Sequence, residues 1–227
     1  MGINFVLTLY MQFVQAFTPL ETGIRFIPLA FGLFMGAGMA DKVVARVGTT
    51  KVLVIGFLGI AVISALAAFF QADTPYWQLA LIIFGWGFFL GYVAASATDS
   101  VMGALPKAQS GIGSGMTMVG RMVAGSIGVA VLVSILSTVY SANFEEAVAA
   151  LPSLPAEIIV PASESVGAAV VIARQLPAEL SGALVRIASD SFMDGWQVMA
   201  FIVCGISLIG AVVASKFMPP RDETDEE

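Results

Sequence analysis

The sequence offers few side chains that could carry out covalent or metal chemistry. None of its 227 residues is histidine, and Cys204 is its single cysteine. Zinc sites are built from clusters of histidine and cysteine, and Ser-His-Asp or Cys-His catalysis needs an imidazole base. A disulfide needs a second cysteine. We therefore expect a protein that is not an enzyme and that binds no metal and no cofactor.

A row of polar side chains near the N-terminus points to recognition instead. Asn4, Thr8, Gln12 and Gln15 are spaced by 4, 4 and 3 residues, which places them on one face of a helix. In a membrane, polar side chains usually face the bundle interior or a water-filled cavity. A lone glutamine would be explained by an interhelical hydrogen bond, whereas four such groups favour a cavity wall. With Tyr92 on a later helix, they are our candidates for contacting a bound molecule.

Two opposite charges predict an ionic contact at one end of the bundle. Arg121 follows the glycine-rich run Gly111–Gly120, which should bring its helix close to neighbouring helices and bury the guanidinium. A buried arginine needs an acceptor, and Asp99 and Asp41 are the candidates. The simpler alternative is that each charge reaches the water at the lipid headgroups by its position alone.

The composition predicts that these groups sit in a membrane protein. Hydrophobic residues make up 58% of the chain and charged residues 11%, whereas soluble domains carry about a quarter charged residues. The net charge of −6 comes largely from the last six residues, five of which are carboxylates, and from one long loop. Nucleic acid is excluded as a partner, because phosphate binding needs a basic face.

Five apolar runs are long enough to cross a bilayer, which takes roughly 20 helical residues. They are Gly23–Ala40, Val52–Phe70, Trp77–Thr98, Met122–Tyr140 and Trp196–Ser215. Because only helices or closed barrels satisfy the backbone in lipid, and these runs lack a barrel's alternation, we predict an all-α polytopic membrane helix bundle.

A sixth run, Ile3–Phe17, is shorter than a full span and begins almost at Met1. It is either a short or tilted first helix or the end of a helix that starts upstream in a longer protein, and we favour the second interpretation. Numbering this run as helix I makes the five longer runs helices II to VI.

The basic residues predict the orientation. Loops II–III and IV–V and the C-terminal tail contain seven of them: Lys42, Arg46, Lys51, Lys107, Arg121, Lys216 and Arg221. The opposite side contains three: Arg25, Arg174 and Arg186. The positive-inside rule then places the C-terminus in the cytoplasm of a cell whose inner or plasma membrane holds the protein.

These elements divide the chain into four parts. Residues 1–140 form helices I to V, residues 141–193 an outer loop, residues 194–216 helix VI, and residues 217–227 an acidic cytoplasmic tail. Within the loop, Ser165–Gln175 and Ala178–Ser189 have helical apolar spacing, so the loop contains either two short helices or a flexible solvated chain. Few polar residues lie inside helices III and VI, so we expect these two to face lipid.

Glycine pairs predict where helices approach closely. Gly32 and Gly36, Gly87 and Gly91, and Gly111 and Gly115 each form a G-x-x-x-G pattern. Small residues with this spacing let helix backbones come together in membranes.

Four ordered stretches resemble the C-terminal half of fourteen-helix drug:proton antiporters of the major facilitator superfamily. They are residues 9–28 (LYMQFVQAFTPLETGIRFIP), 38–51 (GMADKVVARVGTTK), 111–121 (GIGSGMTMVGR) and 191–196 (SFMDGW). The second stretch is similar to the cytoplasmic loop motif between the second and third helices of a half.

The resemblance implies roles for residues in that loop. It places Asp41, Lys42, Arg46, Gly48 and Lys51 at a cytoplasmic gate, together with Asp99 and Arg121. The acidic residue that often stands before the arginine is replaced by Ala45, and the usual pair of basic residues after the glycine is reduced to Lys51, so the gate's contacts are weaker or re-routed here.

The resemblance also implies a function. It predicts half of a secondary transporter that exports lipophilic or cationic small molecules in exchange for protons by alternating access, with an N-terminal half supplied by the same longer chain or a separate subunit. Its partners would be the bilayer, a small-molecule substrate and protons. The alternative is a membrane assembly or scaffold subunit that transports nothing, or an inactive remnant.

Overall fold

The computed structural model describes residues 2–103, 106, 110–149 and 156–217. All regular structure within these ranges is helical, which confirms the predicted all-α fold class. Lys107, Arg221 and the acidic tail, which we predicted to lie on the cytoplasmic side, are outside the described residues.

Nine α-helices and one π-helical segment make up this part of the chain. The helices are α1 (Gly2–Leu9), α2 (Pro19–Arg25), α3 (Ile27–Val47), α4 (Thr49–Ala67), α5 (Tyr76–Gly103), α6 (Ser110–Ala149), α7 (Ala156–Glu164), α8 (Val166–Ala173) and α9 (Ala178–Phe217), and the π-helical segment is Tyr10–Val14.

Five stretches of helix are long and apolar enough to cross a membrane. They are Pro19–Val47, Thr49–Ala67, Tyr76–Val101, Gly111–Ala149 and Ala178–Lys216, and Gly2–Val14 is a shorter apolar helix. The five match the five runs found in the sequence, so the chain is a polytopic membrane helix bundle.

Helix α6 is much longer than the apolar run that predicted it. It starts at Ser110, through the glycine-rich stretch, and continues past Tyr140 to Ala149. The extension is amphipathic: Tyr140, Phe144 and Val148 are buried and recur every four residues. Hydropathy falls there because polar residues cover the other face, while the helix itself continues.

Most of the segment 141–193 is helical for the same reason. Helix α9 begins at Ala178 and runs without a break into the predicted helix VI, with Leu184, Ala188 and Phe192 buried at a spacing of four. Helices α7 and α8 precede it. The Tyr140 hydroxyl donates to the Ala162 carbonyl at 2.9 Å and so ties the end of α7 to α6.

Helix I consists of two different kinds of helix. α1 is followed directly by the π-helical segment, and the chain then turns at Ala16, whose φ of 56° lies in the left-handed region that non-glycine residues seldom adopt. The turn separates the π-helical segment from α2. Residues 15–18 are therefore not helical, although the sequence run predicted helix I to continue to Phe17.

The described chain contains two compact units. Unit 1 comprises Met1–Ile24, Ala68–Thr74 and Ala124–Ala200, and unit 2 comprises Arg25–Ala67, Pro75–Val123 and Phe201–Glu227. The core of unit 1 is aromatic: the Tyr10 ring lies 5.5 Å from the ring of Trp196, on which Phe70 stacks at 6.3 Å.

Direct backbone contact between α3 and α5 characterises unit 2. A Cβ atom added to Gly32 or Gly36 would collide with the backbone of α5, and one added to Gly87 or Gly91 would collide with the backbone of α3. Two of the three predicted glycine pairs therefore meet each other, one pair on each helix. Such an approach is possible only without side chains between the helices.

A buried polar contact joins helix α4 to α5. The indole Nε1 of Trp86 donates to the hydroxyl of Ser64 at 3.0 Å. Ser207 on α9 is also buried, but its hydroxyl donates to the carbonyl of Val203 in its own helix.

Candidate functional site

The polar stripe of helix I is divided by the structure. The Thr8 hydroxyl donates to the Asn4 carbonyl of its own helix at 2.8 Å. Toward a bound molecule, the Thr8 hydroxyl could therefore act only as a hydrogen-bond acceptor. Gln12 is half-buried within the π-helical segment. Whether Asn4, Thr8 and Gln12 line a cavity stays a prediction.

Gln15 is part of a different arrangement. Its Nε2 donates to the Tyr10 hydroxyl at 2.9 Å and to the Thr74 carbonyl at 2.8 Å, and the Tyr10 hydroxyl donates to the Gln71 carbonyl at 2.9 Å. The polar stripe was predicted on the assumption of α-helical turns. A π-helical turn is wider, so the residues that follow it are rotated about the helix axis relative to that prediction. Gln15 follows the π-helical segment, and its side chain is bonded to the connection between α4 and α5.

Tyr92 lies in an apolar cluster of unit 2. Its side chain is 6% exposed and packs with Ala40 and Val52, and its ring stacks on Phe88 at 5.7 Å. The proposed contact of Tyr92 with substrate stays a prediction, and in this structure the ring instead packs α5 against the end of α3 and the start of α4.

Arg121 has acceptors other than the predicted carboxylates. Its Nη2 donates to the Ala94 carbonyl at 3.1 Å and to the Thr98 hydroxyl at 2.7 Å, both on α5. Within the described residues no ion pair joins it to Asp99 or Asp41. Asp99 follows Thr98 directly, so the guanidinium is held at the same turn of α5 as the predicted partner.

The expected burial of Arg121 is not observed, because its side chain is exposed. The reason lies in the glycines that precede it. A Cβ atom added to Gly111, Gly115 or Gly120 would meet nothing within 4 Å. The third glycine pair therefore makes no close helix contact within the described part of this chain.

The remaining predicted gate residues surround the connection between α3 and α4, and their role at a gate stays a prediction. Asp41, Lys42 and Arg46 are exposed near the end of α3, and Lys51 is exposed in the first turn of α4. Gly48 alone separates the two helices and has a φ of +84° and a ψ of 156°. This conformation is almost restricted to glycine, which explains the residue type in this position of the motif.

An acidic recess in unit 1 was not anticipated from the sequence. It has a volume of about 540 Å³ and is lined by residues of the α4–α5 connection and the middle of α9: Ala68, Phe69, Phe70, Gln71, Ala72, Asp73, Asp190, Met193, Asp194 and Gln197. Three carboxylates and no basic side chain line it, and such a recess attracts cations. The i, i+4 spacing of Asp190 and Asp194 was the available signal, but the pair lay across the predicted boundary between the outer loop and helix VI.

Comparison with known proteins identifies relatives that confer drug resistance. The chain is 29% identical to the tetracenomycin C resistance and export protein of Streptomyces glaucescens and 28% identical to a tetracycline resistance determinant of Streptomyces rimosus. It is 26% identical to a methyl viologen resistance protein of Salmonella typhimurium. The alignments cover 100%, 98% and 85% of this chain.

These relatives confirm the resemblance to drug exporters found in the four sequence stretches. All three are named for resistance, and the tetracenomycin C protein is also named for export. The chain spans 43%, 68% and 38% of the lengths of these three relatives, respectively. No model of a known protein family matches the chain.

Proposed function

We propose that this chain is the C-terminal, six-helix half of a secondary transporter that exports lipophilic or cationic small molecules in exchange for protons. The observation that carries the proposal is the relationship, along nearly the whole chain, to proteins named for drug resistance and export. In this mechanism two halves rock about a site near the middle of the membrane, so the chain works with an N-terminal half.

The surface of α6 supports a protein partner. Large apolar side chains between 55% and 70% exposed follow the helix from its start: Ile112, Met116, Met118, Val119, Met122 and Val123. Arg121 lies among them with an exposed side chain although its Nη2 is bonded to α5, and a charged group that bordered lipid there would be costly. An N-terminal half that covers this part of α6 would remove the arginine from lipid and give the three glycines a neighbouring backbone.

We assign Arg121 to a latch at the cytoplasmic side of that interface. Its Nη2 donates to the Thr98 hydroxyl and the Ala94 carbonyl, and among the described residues the N–H groups of Nε and Nη1 are available to a carboxylate. Asp99 or Asp41 supplies this carboxylate when the transporter changes its state, or the N-terminal half does. Lys42, Arg46, Gly48 and Lys51 form the neighbouring gate loop, as the resemblance implies.

The orientation follows from the basic residues. With the gate on the cytoplasmic side and the C-terminus inside, the recess that contains Asp73, Asp190 and Asp194 lies on the outer side of the cell membrane. A negative recess at the exit suits the release of cationic compounds, because it binds them weakly and keeps anions away.

Dye export by reconstituted protein tests the proposal. The chain alone in liposomes should show no proton-driven movement of ethidium. The same chain fused behind the N-terminal part of the tetracenomycin C resistance and export protein should move ethidium, and a protonophore should stop the movement. Arg121→Ala in this fusion should abolish movement while membrane insertion stays intact.

The outcomes separate the alternatives. Proton-driven ethidium movement by the isolated chain would show that it is not half of a transporter. A fusion that inserts, binds ethidium and yet moves none would favour the assembly or scaffold role. Normal export by Arg121→Ala would contradict the proposed latch, but it would not contradict the proposed export function.

A further inference from the structure

We propose that the carboxamide oxygen of Gln15 is a binding site for one hydrogen-bond donor, and that this donor is the N–H group of a protonated amine substrate. The identification of the donor as substrate rests on the export function proposed above. The site differs from a general polar lining, because the structure assigns opposite roles to the two ends of one side chain.

The nitrogen end of Gln15 is fixed. Both N–H groups of Nε2 are used, by the Tyr10 hydroxyl at 2.9 Å and the Thr74 carbonyl at 2.8 Å. A carbonyl can only accept, so the amide cannot be turned over without placing two oxygens against each other. The Tyr10 hydroxyl is fixed in turn, since it donates to the Gln71 carbonyl.

The oxygen end of Gln15 is buried without a hydrogen bond. Oε1 is shielded from solvent and has no partner among the described residues. Buried carboxamide oxygens are nearly always paired, because an unpaired one has lost its hydration without compensation. Since the nitrogen end cannot rotate away, the oxygen is a preorganised acceptor that gains from any donor that reaches it.

The backbone around Gln15 supports a binding role. The residue ends a π-helical segment, a feature that occurs frequently at functional sites in helices. It is followed by Ala16 in the left-handed region, and such strained residues cluster at ligand clamps. Both features place the glutamine where the chain leaves helix I.

The ligand class follows from the chemistry of the acceptor. Protonated primary, secondary and tertiary amines have an N–H group, and hydrogen bonds that involve a charged donor are the stronger ones. Quaternary ammonium ions have the same charge without a donor. Water shares the donor chemistry, so the experiment has to separate water from an amine.

A matched pair of ligands makes this separation. Quinine, protonated at its quinuclidine nitrogen near neutral pH, has an N–H group where N-methylquininium has a methyl group. The dissociation constants of both are measured by fluorescence titration with the full chain in lipid nanodiscs. We expect quinine to bind about tenfold more tightly, as one charge-assisted hydrogen bond allows.

Three variants test whether Gln15 is the cause. Gln15→Met should bring the two dissociation constants to within about twofold, whereas Gln78→Met, at an exposed glutamine of α5, should keep the tenfold preference. Tyr10→Phe retains the oxygen and one of the two bonds that orient it, so it should leave an intermediate preference, about threefold. It keeps the test decisive if Gln15→Met fails to fold.

Several results would overturn the proposal. Equal affinities in the native chain, with a lower melting temperature in Gln15→Met, would assign the oxygen to water. A tenfold preference that survives Gln15→Met would place the donor contact elsewhere, and failure of both ligands to bind would exclude an amine site in this chain. None of these results bears on ethidium export by the fused protein, so the two proposals fail separately.

Discussion

Replacing Gly36 by alanine should destabilise the contact between α3 and α5. The added methyl group would collide with the carbonyl oxygen of Phe88 and lie 2.8 Å from its carbonyl carbon and 3.1 Å from its Cα. These are backbone atoms in the middle of a helix, so no side-chain rotation relieves the collision. Overpacking of this kind costs typically 1–3 kcal/mol, and we expect roughly the upper end of that range.

The control is Gly38→Ala, two residues further along the same helix. Gly38 is exposed, and a Cβ atom there would meet nothing within 4 Å. Both replacements gain about 1 kcal/mol of helix propensity, so the difference between the two variants isolates the collision. Thermal unfolding in detergent should separate them by roughly 4–12 °C, at about 2–4 °C per kcal/mol. Equal melting temperatures would show that α3 and α5 do not touch as described.

Further contacts give smaller effects. Ser64→Ala removes the acceptor of an indole N–H and should cost about 1 kcal/mol in thermal unfolding, whereas Ser207→Ala, which loses a bond within its own helix, should change stability by less than half of that. Gly48→Ala should cost about 1–3 kcal/mol because of its positive φ, while Gly23→Ala, which meets nothing, should be neutral or slightly stabilising; equal effects would contradict the assigned backbone. Tyr140→Phe should raise amide hydrogen exchange in α7 about fivefold by removing a bond worth roughly 1 kcal/mol, and unchanged exchange would mean that α7 is held by other contacts.

The number and class of the membrane-spanning helices could be predicted from hydropathy, while their ends could not. A run of 20 apolar residues has one stable form in lipid, so each span was found. Helix α6 continues beyond Tyr140 because buried residues recur every four positions although polar residues lie between them. An average over the sequence cancels such an amphipathic pattern. The helical spacing of Ala178–Ser189 indicated the start of α9 as one of two alternatives, but it did not predict that this helix continues without a break into helix VI.

The candidate site was predictable only where local geometry determines it. Gly48 follows from its motif, because the turn between two helices needs a positive φ. Gln15 was grouped with Gln12 on the assumption of α-helical spacing, and no residue in the sequence signals the π-helical turn that contains Gln12 and is capped by Gln15. The acceptors of Arg121 were missed for a related reason, since backbone carbonyls compete with carboxylates for arginine and have no sequence signature.

The backbone contact between α3 and α5 has a consequence for how this protein can diverge. Each of the four glycines meets main-chain atoms, which every amino acid possesses. The residues opposite them, such as Phe84 and Leu33, can therefore change type over generations without loosening the pair, provided that they stay helical. The glycines have no such freedom, because any side chain there would collide with the facing backbone. Among homologues we therefore expect small residues at the four glycine positions and variable large residues at the positions opposite them.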